Sequence, residues 1–459
     1  MLLTGIGALK RLTLGSLHSL DVLNLDRLTL LKRLKLGSFC HHALKEVPDL
    51  ARLSSLQELT IGHCDNLTLL RGMGEFVALK QLTLDRLYEL KEVPDLARLT
   101  ALQELTMEEC GNLTLLRGIG ELVALKQLTL NRLYALKEVL DLARLTALQE
   151  LTIRCSNLKL LRGICELVAL KRLRLGRLYS KEVPDLARLT ALQELKIEEC
   201  GNLTLLRGIG ELVALKQLTL DRVYALKGVP NLARLTAQQE LTISLCGKLK
   251  ALPRGIGDLS ALKQLSLGCY TLDAREEMPD LARLTALQEL TISDCSCLRL
   301  PERILQLSAL TKLRISHRYT HEHKWDILVI GGALKAWPLP SLAILEFCVG
   351  RREVALYAPS LGLPAVAAAW SNAATLDFLR VQQHKVVAFA SGLHGRLGAA
   401  SGVSMLNDQM LTMIANEVLG RSDFRKWLSL WERDCLEECS CDEHYPPSTH
   451  SDDNSDKGP

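Results

Sequence analysis

Histidine and cysteine cluster twice in the last third of the chain, with spacings that could place several ligands on one metal ion. The two clusters consist of His317, His321 and His323, and of Cys435, Cys439, Cys441 and His444. Imidazole and thiolate groups are zinc ligands, but structural zinc sites usually combine two ligand pairs at short, defined spacings. Neither cluster matches that arrangement. A metal site at either cluster is therefore an alternative, and the expectation is that the chain holds no metal ion and no other cofactor.

Groups for catalysis are equally hard to single out. No serine–histidine–aspartate, cysteine–histidine or paired-carboxylate arrangement stands out from the repeated background of the sequence. A phosphate loop would end in Gly-Lys-Ser or Gly-Lys-Thr, and neither tripeptide occurs. The Gly-x-Gly pair in Arg117–Leu122 and Arg207–Leu212 is instead typical of a tight bend. We therefore expect a protein that is not an enzyme.

The elements that would position any site come from a repeat of 22 to 25 residues. A hexapeptide of the form Leu-x-x-Leu-x-Leu/Ile/Met begins at Leu9, Leu31, Leu56, Leu79, Leu102, Leu125, Leu148, Leu170, Leu192, Leu215, Gln238 (a departure from leucine), Leu262, Leu287 and Leu310. Alternate side chains of a strand point to opposite faces, so the last two apolar residues of each hexapeptide point into a core. One strand cannot bury them alone, whereas parallel stacking of the repeats closes a continuous core. Degenerate copies follow at Leu342 and Leu376.

The segments between the hexapeptides complete the predicted unit. Pro-Asp-Leu-Ala-Arg-Leu, as in Pro94–Leu99, suits a single helical or 3₁₀ turn, because proline is tolerated in a first turn. Two phrases alternate, and residues 111–130 are identical to residues 201–220, which indicates growth by duplication of a double unit. The expected fold is an α/β solenoid with a parallel β-sheet of about fourteen strands on the concave face and short helical turns on the convex face.

A row of cysteines follows the strands of the second phrase, in which Gln-Glu precedes the apolar residues. The row consists of Cys64, Cys110, Cys155, Cys200, Cys246 and Cys295. At this position the side chain turns inward beneath the strand, which predicts buried structural thiols. Successive members are two strands apart, about 9 to 10 Å, which is too far for them to share a metal ion. The N-terminus has no pattern of a secretory signal, so we expect these thiols to be reduced.

The sharpest departure from the repeated pattern is a group of six cations in three adjacent repeats. This group, named here the basic cluster, consists of Arg154, Lys171, Arg172, Arg174, Arg177 and Lys196. Because adjacent strands are about 4.8 Å apart, the six should form a positive patch on or beside the concave face that binds an acidic protein segment. The alternative is neutral drift of one duplicated repeat, in which Glu194, Glu198 and Glu199 neutralise much of the positive potential.

Composition limits the class of partner. The 459 residues include 56 basic and 52 acidic side chains, a formal charge of +4, whereas nucleic-acid-binding proteins normally show a strong basic excess. No apolar run approaches the roughly 18 residues that a membrane span needs. The expectation is a cytoplasmic protein that binds a protein ligand, and neither nucleic acid nor a membrane. The sequence does not fix its oligomeric state.

The repeats resemble those of leucine-rich-repeat proteins, and the resemblance covers residues 1 to about 316. The phrase from Cys246 to Tyr270 is similar to the Cys-x-x-Leu-x-x-Leu-Pro-x-x-Ile-x-x-Leu-x-x-Leu pattern of plant-type intracellular disease-resistance proteins. In those proteins a nucleotide-binding domain precedes the repeats, and this sequence shows no phosphate loop. The resemblance implies the leucine-rich-repeat horseshoe fold and a recognition role in defence-type sensing, without nucleotide binding.

The remainder of the chain departs from the repeat. We predict a solenoid over 1–316, degenerate or irregular repeats over 317–383, a small C-terminal helical segment over 384–438 and a disordered tail over 439–459. In the helical segment, apolar residues recur at helical spacing from Leu406 to Val418 and from Phe424 to Cys435. These helices either cap the solenoid or dock a partner. Residues 404–420 are similar to the opening helix of F-box motifs, which implies the alternative of a ubiquitin-ligase substrate receptor.

Overall fold

In the computed structural model the repeats form one long sheet, and the short strands Leu140–Asp141 and Leu161–Arg162 pair in parallel as a second, two-stranded sheet. The described residues are 9–15, 25, 28–37, 45–47, 50–70, 72–137, 140–158, 161–268, 280–293, 306–317, 341, 344–349 and 352–357. All of them belong to the unit formed by Met1–Val329 and Ala336–Pro359.

Sixteen strands in chain order make up the sheet. They are β1 (Arg11–Leu14), β2 (Arg33–Leu36), β3 (Glu58–Gly62), β4 (Gln81–Asp85), β5 (Glu104–Glu108), β6 (Gln127–Asn131), β7 (Glu150–Arg154), β8 (Arg172–Gly176), β9 (Glu194–Glu198), β10 (Gln217–Asp221), β11 (Glu240–Ser244), β12 (Gln264–Gly268), β13 (Glu289–Ser293), β14 (Lys312–His317), β15 (Ile344–Val349) and β16 (Arg352–Tyr357). Neighbouring strands from β1 to β15 pair in parallel. The first fourteen strands coincide with the fourteen hexapeptides, so the predicted parallel-sheet solenoid is confirmed.

Burial alternates along the central strands, as the pleat of a strand requires. In β4, Leu82 and Leu84 are 1% and 0% exposed, and the residues between and beside them are half-buried. In β5, Leu105 and Met107 are equally buried. Each strand therefore contributes two inward side chains, and stacking in register joins them into one aliphatic core. This arrangement is the reason that the chain needs few aromatic residues.

The sheet continues past the fourteen predicted repeats. Strand β15 lies on the degenerate copy that begins at Leu342, and it pairs in parallel with β14. Strand β16 then runs antiparallel to β15, which the repeat pattern did not predict. Only two residues separate these strands in the sequence. A link of that length permits an antiparallel pair, whereas a parallel pair needs a crossover of about a dozen residues.

Helical turns occur between the strands, as predicted, but most of the described ones lie in the Gly-x-Gly phrase and not in the Pro-Asp phrase. Of the 3₁₀ helices in the described residues, one lies in the Pro-Asp phrase (Leu281–Arg283). Five lie in the Gly-x-Gly phrase, in which Cys165 replaces the second glycine of one copy, at Met73–Glu75, Ile119–Glu121, Ile164–Glu166, Ile209–Glu211 and Ile256–Asp258. Each of these follows a left-handed glycine such as Gly118, whose φ is 75°. A Cβ there would lie 2.3 Å from the Ala97 amide nitrogen, so the close approach of neighbouring repeats requires glycine.

A residue in the left-handed conformation follows most of the central strands. Positive φ values of 52° to 56° occur at His63, Arg86, Glu109, Arg132, Arg177, Glu199, Arg222 and Leu245. The amide of each donates to the last carbonyl of the next strand, as Arg86 N does to Glu108 O at 2.9 Å. The conformation costs about 1 to 2 kcal/mol for a residue with a side chain, and the extra ladder hydrogen bond offsets part of that cost.

The cysteine row is buried, as predicted. Cys64, Cys110, Cys155, Cys200 and Cys246 are 0% exposed, and Cys295 lies outside the described residues. Burial raises the pKa of the Cys110 thiol to about 12, and it raises those of Cys155 and Cys200 to about 11. The Cys110 thiol donates to Glu108 O at 3.4 Å. These groups are protonated at neutral pH, so they pack as small apolar side chains and are poor nucleophiles.

Candidate functional site: a charged break in the open face of the sheet

The face of the sheet that points away from the core, named here the open face, is uniform over most repeats. Its middle position holds a half-exposed hydroxyl side chain in nine described strands, namely Thr60, Thr83, Thr106, Thr129, Thr152, Thr219, Thr242, Ser266 and Thr291. Two residues earlier, glutamine and glutamate alternate, and Gln81 Nε2 donates to Glu104 Oε2 at 2.8 Å. This surface is polar and repetitive, so it offers no position that differs from its neighbours.

Strands β8 and β9 interrupt the hydroxyl row. Arg174 and Lys196 occupy the hydroxyl positions and lie in register with each other. Arg172 lies in register with Glu194 on the next strand. Glu194 Oε1 accepts a hydrogen bond from Arg174 Nη2 at 2.8 Å and lies 3.1 Å from Lys196 Nζ. Arg172 Nε lies 3.8 Å from Glu194 Oε2, so one carboxylate contacts three cations.

Burial sets Glu194 apart from the other glutamates of its row. It is 9% exposed, whereas the corresponding Glu104 on β5 is half-buried. Burial by itself raises the pKa of the Glu194 carboxyl, but hydrogen bonds from Lys196 and Arg174 outweigh burial, and the pKa lies below its ordinary value. The carboxylate is therefore ionised at neutral pH, and it holds the two cationic side chains in place on the open face.

A second group of charges lies where the strands end. Arg154 reaches from β7 across Gly176 to the residue that follows β9, and its Nη2 lies 3.3 Å from Glu199 Oε1. Its Nη1 lies 3.7 Å from Glu198 Oε2. A Cβ at Gly176 would lie 2.9 Å from Arg154 Cγ, whereas β4, β6 and β10 end in aspartate or asparagine. Glycine at this position therefore leaves the path across β8 open.

Glu199 is the centre of this second group. Arg177 Nε donates to Glu199 Oε2 at 2.7 Å, and Arg222 Nη1 lies 3.6 Å from Glu199 Oε1. The hydrogen bond from Arg177 lowers the pKa of Glu199 more than partial burial raises it. Glu199, and to a smaller extent the hydroxyl of Tyr134, raises the pKa of Arg177. The result is a fixed network that spans the ends of β7 to β10.

The structure thus brings five of the six cations of the basic cluster into contact with carboxylates of the described residues, and Lys171 is the exception. Arg172 Nη1 lies 2.8 Å from Glu150 Oε1, and Lys171 Nζ donates to the neutral Gln149 Oε1 at 3.3 Å. Four glutamates contact the cluster, namely Glu150, Glu194, Glu198 and Glu199. Six positive charges therefore face four negative ones. The repeat pattern identified the cations, but it missed Gly176, although the loss of the usual aspartate or asparagine there was a visible signal.

Other features singled out in the sequence lie elsewhere. His317 ends β14, whereas His321, His323, the cluster from Cys435 to His444 and the predicted C-terminal helices lie outside the described residues. Across the part of the chain that the structure covers, no three histidine, cysteine or carboxylate side chains are close enough to hold a metal ion. In the same part, none of the helices is both long enough and apolar enough to cross a membrane.

Comparison with known proteins extends the structural description. No family model matches the chain, and no curated protein matches it. A leucine-rich-repeat protein of Leptospira interrogans is similar in structure, with a TM-score of 0.50, 22% identity, and coverage of 74% of this chain and 88% of that one. The functional domain of InlJ from Listeria monocytogenes, described as including a cysteine ladder, has a TM-score of 0.50, 16% identity, and coverage of 74% and 69%. At these identities the likeness shows the fold alone, and this chain folds as a leucine-rich-repeat solenoid.

Proposed function

We propose that the protein is a recognition module, not an enzyme, and that it binds a protein ligand on the open face of its sheet at the basic cluster. The observation that carries the proposal is the replacement of the hydroxyl row by Arg174 and Lys196 on the shared carboxylate of Glu194. Long cationic side chains normally lose rotational freedom when a ligand binds them. Because Glu194 already restrains these two, less of that entropy is lost on binding.

The chemistry of the cluster favours an acidic ligand segment. Arg174 donates from Nε and Nη2 to Glu194, and its side chain is 50% exposed. The remaining N–H groups of its guanidinium can therefore donate to a carboxylate of the ligand. Arg172 is 55% exposed on the same face. The excess of two positive charges over the contacting glutamates adds long-range attraction, which speeds association and weakens as salt is added.

Binding of a labelled twelve-residue peptide of alternating glutamate and alanine tests this proposal by fluorescence anisotropy on the full chain. We expect saturable binding that weakens as salt rises from 50 to 200 mM. The double variant Arg172→Glu, Arg174→Glu should weaken binding by well over tenfold. The matched control, Lys80→Glu with Lys126→Glu, changes the charge equally on other repeats and should have little effect. Equal, small effects from both variants would instead support neutral drift.

The biological setting is a further part of the proposal. We propose defence-type sensing in the cytoplasm, and its support is the similarity of the phrase Cys246–Tyr270 to repeats of plant-type disease-resistance proteins. The alternative is a ubiquitin-ligase substrate receptor, supported by the F-box-like residues 404–420. Affinity purification of the full chain and of the Arg172→Glu, Arg174→Glu variant, followed by mass spectrometry, separates the two. Pathogen proteins or signalling chaperones lost from the variant favour sensing, and ubiquitin-ligase scaffold subunits favour the alternative.

A further inference from the structure

A row of exposed tyrosines lies beyond the ends of the first-phrase strands. Tyr88, Tyr134, Tyr179 and Tyr224 follow β4, β6, β8 and β10, and they are between 42% and 63% exposed. Each stands two residues after a left-handed arginine of the strand-end turn. Large aromatic side chains are costly to leave in water and are enriched at binding sites together with arginine. The proposed contact with an acidic segment does not use this row.

Backbone hydrogen bonds fix the spacing of the row. The residue after Tyr134 donates to Gly111 O of the preceding repeat at 2.9 Å, and the residue after Tyr224 donates to Gly201 O at 3.1 Å. Asn157 Nδ2 donates to Tyr134 O at 2.5 Å from the following repeat. The hydrogen-bonded ladder thus extends to the tyrosines, so neighbouring members are two ladder steps, about 9.5 Å, apart.

Small residues separate the tyrosine rings. A Cβ built on Gly111 would lie 3.6 Å from Tyr134 Cδ2, and one built on Gly201 would lie 3.7 Å from Tyr224 Cδ2. The rings of Tyr134 and Tyr224 therefore lean toward the glycines of the preceding repeats, and the hydroxyl of Tyr88 donates to Glu109 Oε2 at 3.2 Å. The alternation of large rings and glycine or serine gives a ridged surface, with aromatic ridges two repeats apart and shallow notches between them.

The charges beside the row nearly cancel. Five arginines, namely Arg86, Arg132, Arg154, Arg177 and Arg222, stand at the strand ends from β4 to β10. Six carboxylates accompany them, namely Asp85, Glu108, Glu109, Glu198, Glu199 and Asp221. Glu109 pairs with both Arg86 and Arg132, and Glu199 pairs with Arg154, Arg177 and Arg222. A surface balanced in this way is complementary to an uncharged ligand.

We propose that the tyrosine row docks an uncharged, proline-rich segment of a partner protein in the polyproline II conformation. This helix has three residues per turn and rises about 3.1 Å per residue, so it repeats every 9.3 Å or so, close to the tyrosine spacing. One face of such a segment can place a proline ring between successive tyrosines, and aromatic surfaces are the usual receptors for this conformation. Four tyrosines span about 28 Å, which corresponds to roughly nine to ten residues of the segment.

The test uses the full chain and a fluorescein-labelled peptide of four Pro-Pro-Ala triplets. A peptide of four Gly-Ser-Ala triplets is the control of equal length. We expect anisotropy to show saturable binding of the proline peptide only, with less than a twofold change between 50 and 300 mM salt. The Tyr134→Ala, Tyr179→Ala variant should bind at least tenfold more weakly. The Tyr134→Phe, Tyr179→Phe variant, which keeps the rings, should bind within about threefold of the unmodified chain.

A control removes apolar side chains that are also exposed, by 46% and 48%, and that precede the strands of the same repeats, through Val123→Ala with Val168→Ala. These changes should leave the affinity for the proline peptide unchanged, and so should Arg172→Glu with Arg174→Glu, so the two proposals fail independently. Absence of binding to the unmodified chain would overturn the tyrosine proposal. The same holds if the valine and tyrosine variants lose equal affinity, or if sedimentation shows that the row joins two copies of this chain and the peptide does not compete.

Discussion

Two strand pairs of the same sheet, β4–β5 and β8–β9, share a core and differ on the open face. Their inward leucines are equally buried, and their register is the same. On the open face, the first pair presents glutamine, glutamate and two threonines, whereas the second presents arginine, a buried glutamate, arginine and lysine. The comparison shows that outward positions of the repeat can change without altering the inward ones. The chemistry of the open face can therefore diverge on a fold that stays fixed.

An inward departure from the repeat behaves differently. Gln238 occupies a leucine position before β11 and is 0% exposed. Its Nε2 donates to Glu240 O at 2.6 Å, but its Oε1 has no hydrogen-bond partner among the described residues. The cations of β8 and β9 contact carboxylates, whereas this buried amide oxygen has no partner among the described residues. A polar residue at an inward position thus leaves a buried atom without a partner, whereas the polar replacements on the open face of β8 and β9 bring their own partners.

The largest expected effect is on the shared core. Leu82→Ala in β4 and Leu173→Ala in β8 should each lower the free energy of unfolding by about 2 to 5 kcal/mol, because each removes a fully buried side chain from the same layer. Guanidinium chloride denaturation followed by circular dichroism measures both. A loss at Leu173 twice that at Leu82 would break the claim that the two regions have equivalent cores.

Restoring leucine at the inward departure should stabilise the protein. Gln238→Leu removes an unpaired buried oxygen and adds apolar contact, so the free energy of unfolding should rise by about 1 to 3 kcal/mol. The neighbouring exposed-side change Gln239→Leu is the control, and it should shift stability by less than about 0.5 kcal/mol. Thermal unfolding of the two variants in parallel measures both changes. A Gln238→Leu variant less stable than the unmodified chain would contradict the prediction.

Removing the carboxylate that Arg174 and Lys196 share should lower stability more than the same change on the other strand pair. Glu194→Gln leaves Arg174 and Lys196 without their carboxylate and should cost about 1 to 2 kcal/mol, whereas Glu104→Gln should cost about 0.5 kcal/mol or less. The difference should depend on pH. The folded-state pKa of Glu194 is lowered, so its contribution is present above the unfolded pKa of about 4.3 and is lost as pH falls through the folded value. Denaturation at pH 7 and pH 3 should show the two variants converging at the lower pH.

The smallest effect on stability is expected when the charged residues of β8–β9 are introduced at the equivalent positions of β4–β5. The effect of this change on binding should be clear. Gln81→Arg, Thr83→Arg and Thr106→Lys would reproduce on β4–β5 the charges of β8–β9, with Glu104 in the place of Glu194. Introduced into the Arg172→Glu, Arg174→Glu variant, they should increase its affinity for the glutamate peptide at least tenfold. A tenfold change in Kd corresponds to about 1.4 kcal/mol of binding free energy. Restoration below twofold would mean that local charge and register are not sufficient.

Much of the fold could be predicted because each repeat states the same pattern again. The period-two alternation in the hexapeptides fixes which residues are buried, and recurrence at 22 to 25 residues fixes the parallel stacking. Strand β16 could not be predicted, because a single antiparallel strand has no recurring signal. The placement of the 3₁₀ helices also depended on left-handed glycines such as Gly118, whose neighbours belong to other repeats.

The candidate site was accessible to sequence reasoning only in part. Departures from the consensus identify the cations, but pairing in space depends on side-chain reach. Arg154 contacts Glu199 across an intervening strand, 45 residues away in the sequence, and only the backbone shows that Gly176 permits the crossing. The tyrosine row was visible as a repeated residue, but its exposure and spacing follow from the strand-end turn. The repeat period therefore predicts the scaffold better than it predicts the contacts of residues that depart from the consensus.

The identity of distant repeats has a consequence for how this surface can be inherited. Residues 111–130 and 201–220 have the same sequence, and β6 and β10 occupy equivalent places in the ladder. Unequal recombination between the corresponding stretches of the gene would excise or duplicate residues 111–200 as one cassette and leave no altered junction in the protein. All six cations of the basic cluster lie in that cassette. A single genetic exchange could thus delete or double the proposed recognition surface while the strands on either side of the junction keep neighbours of the same repeat type.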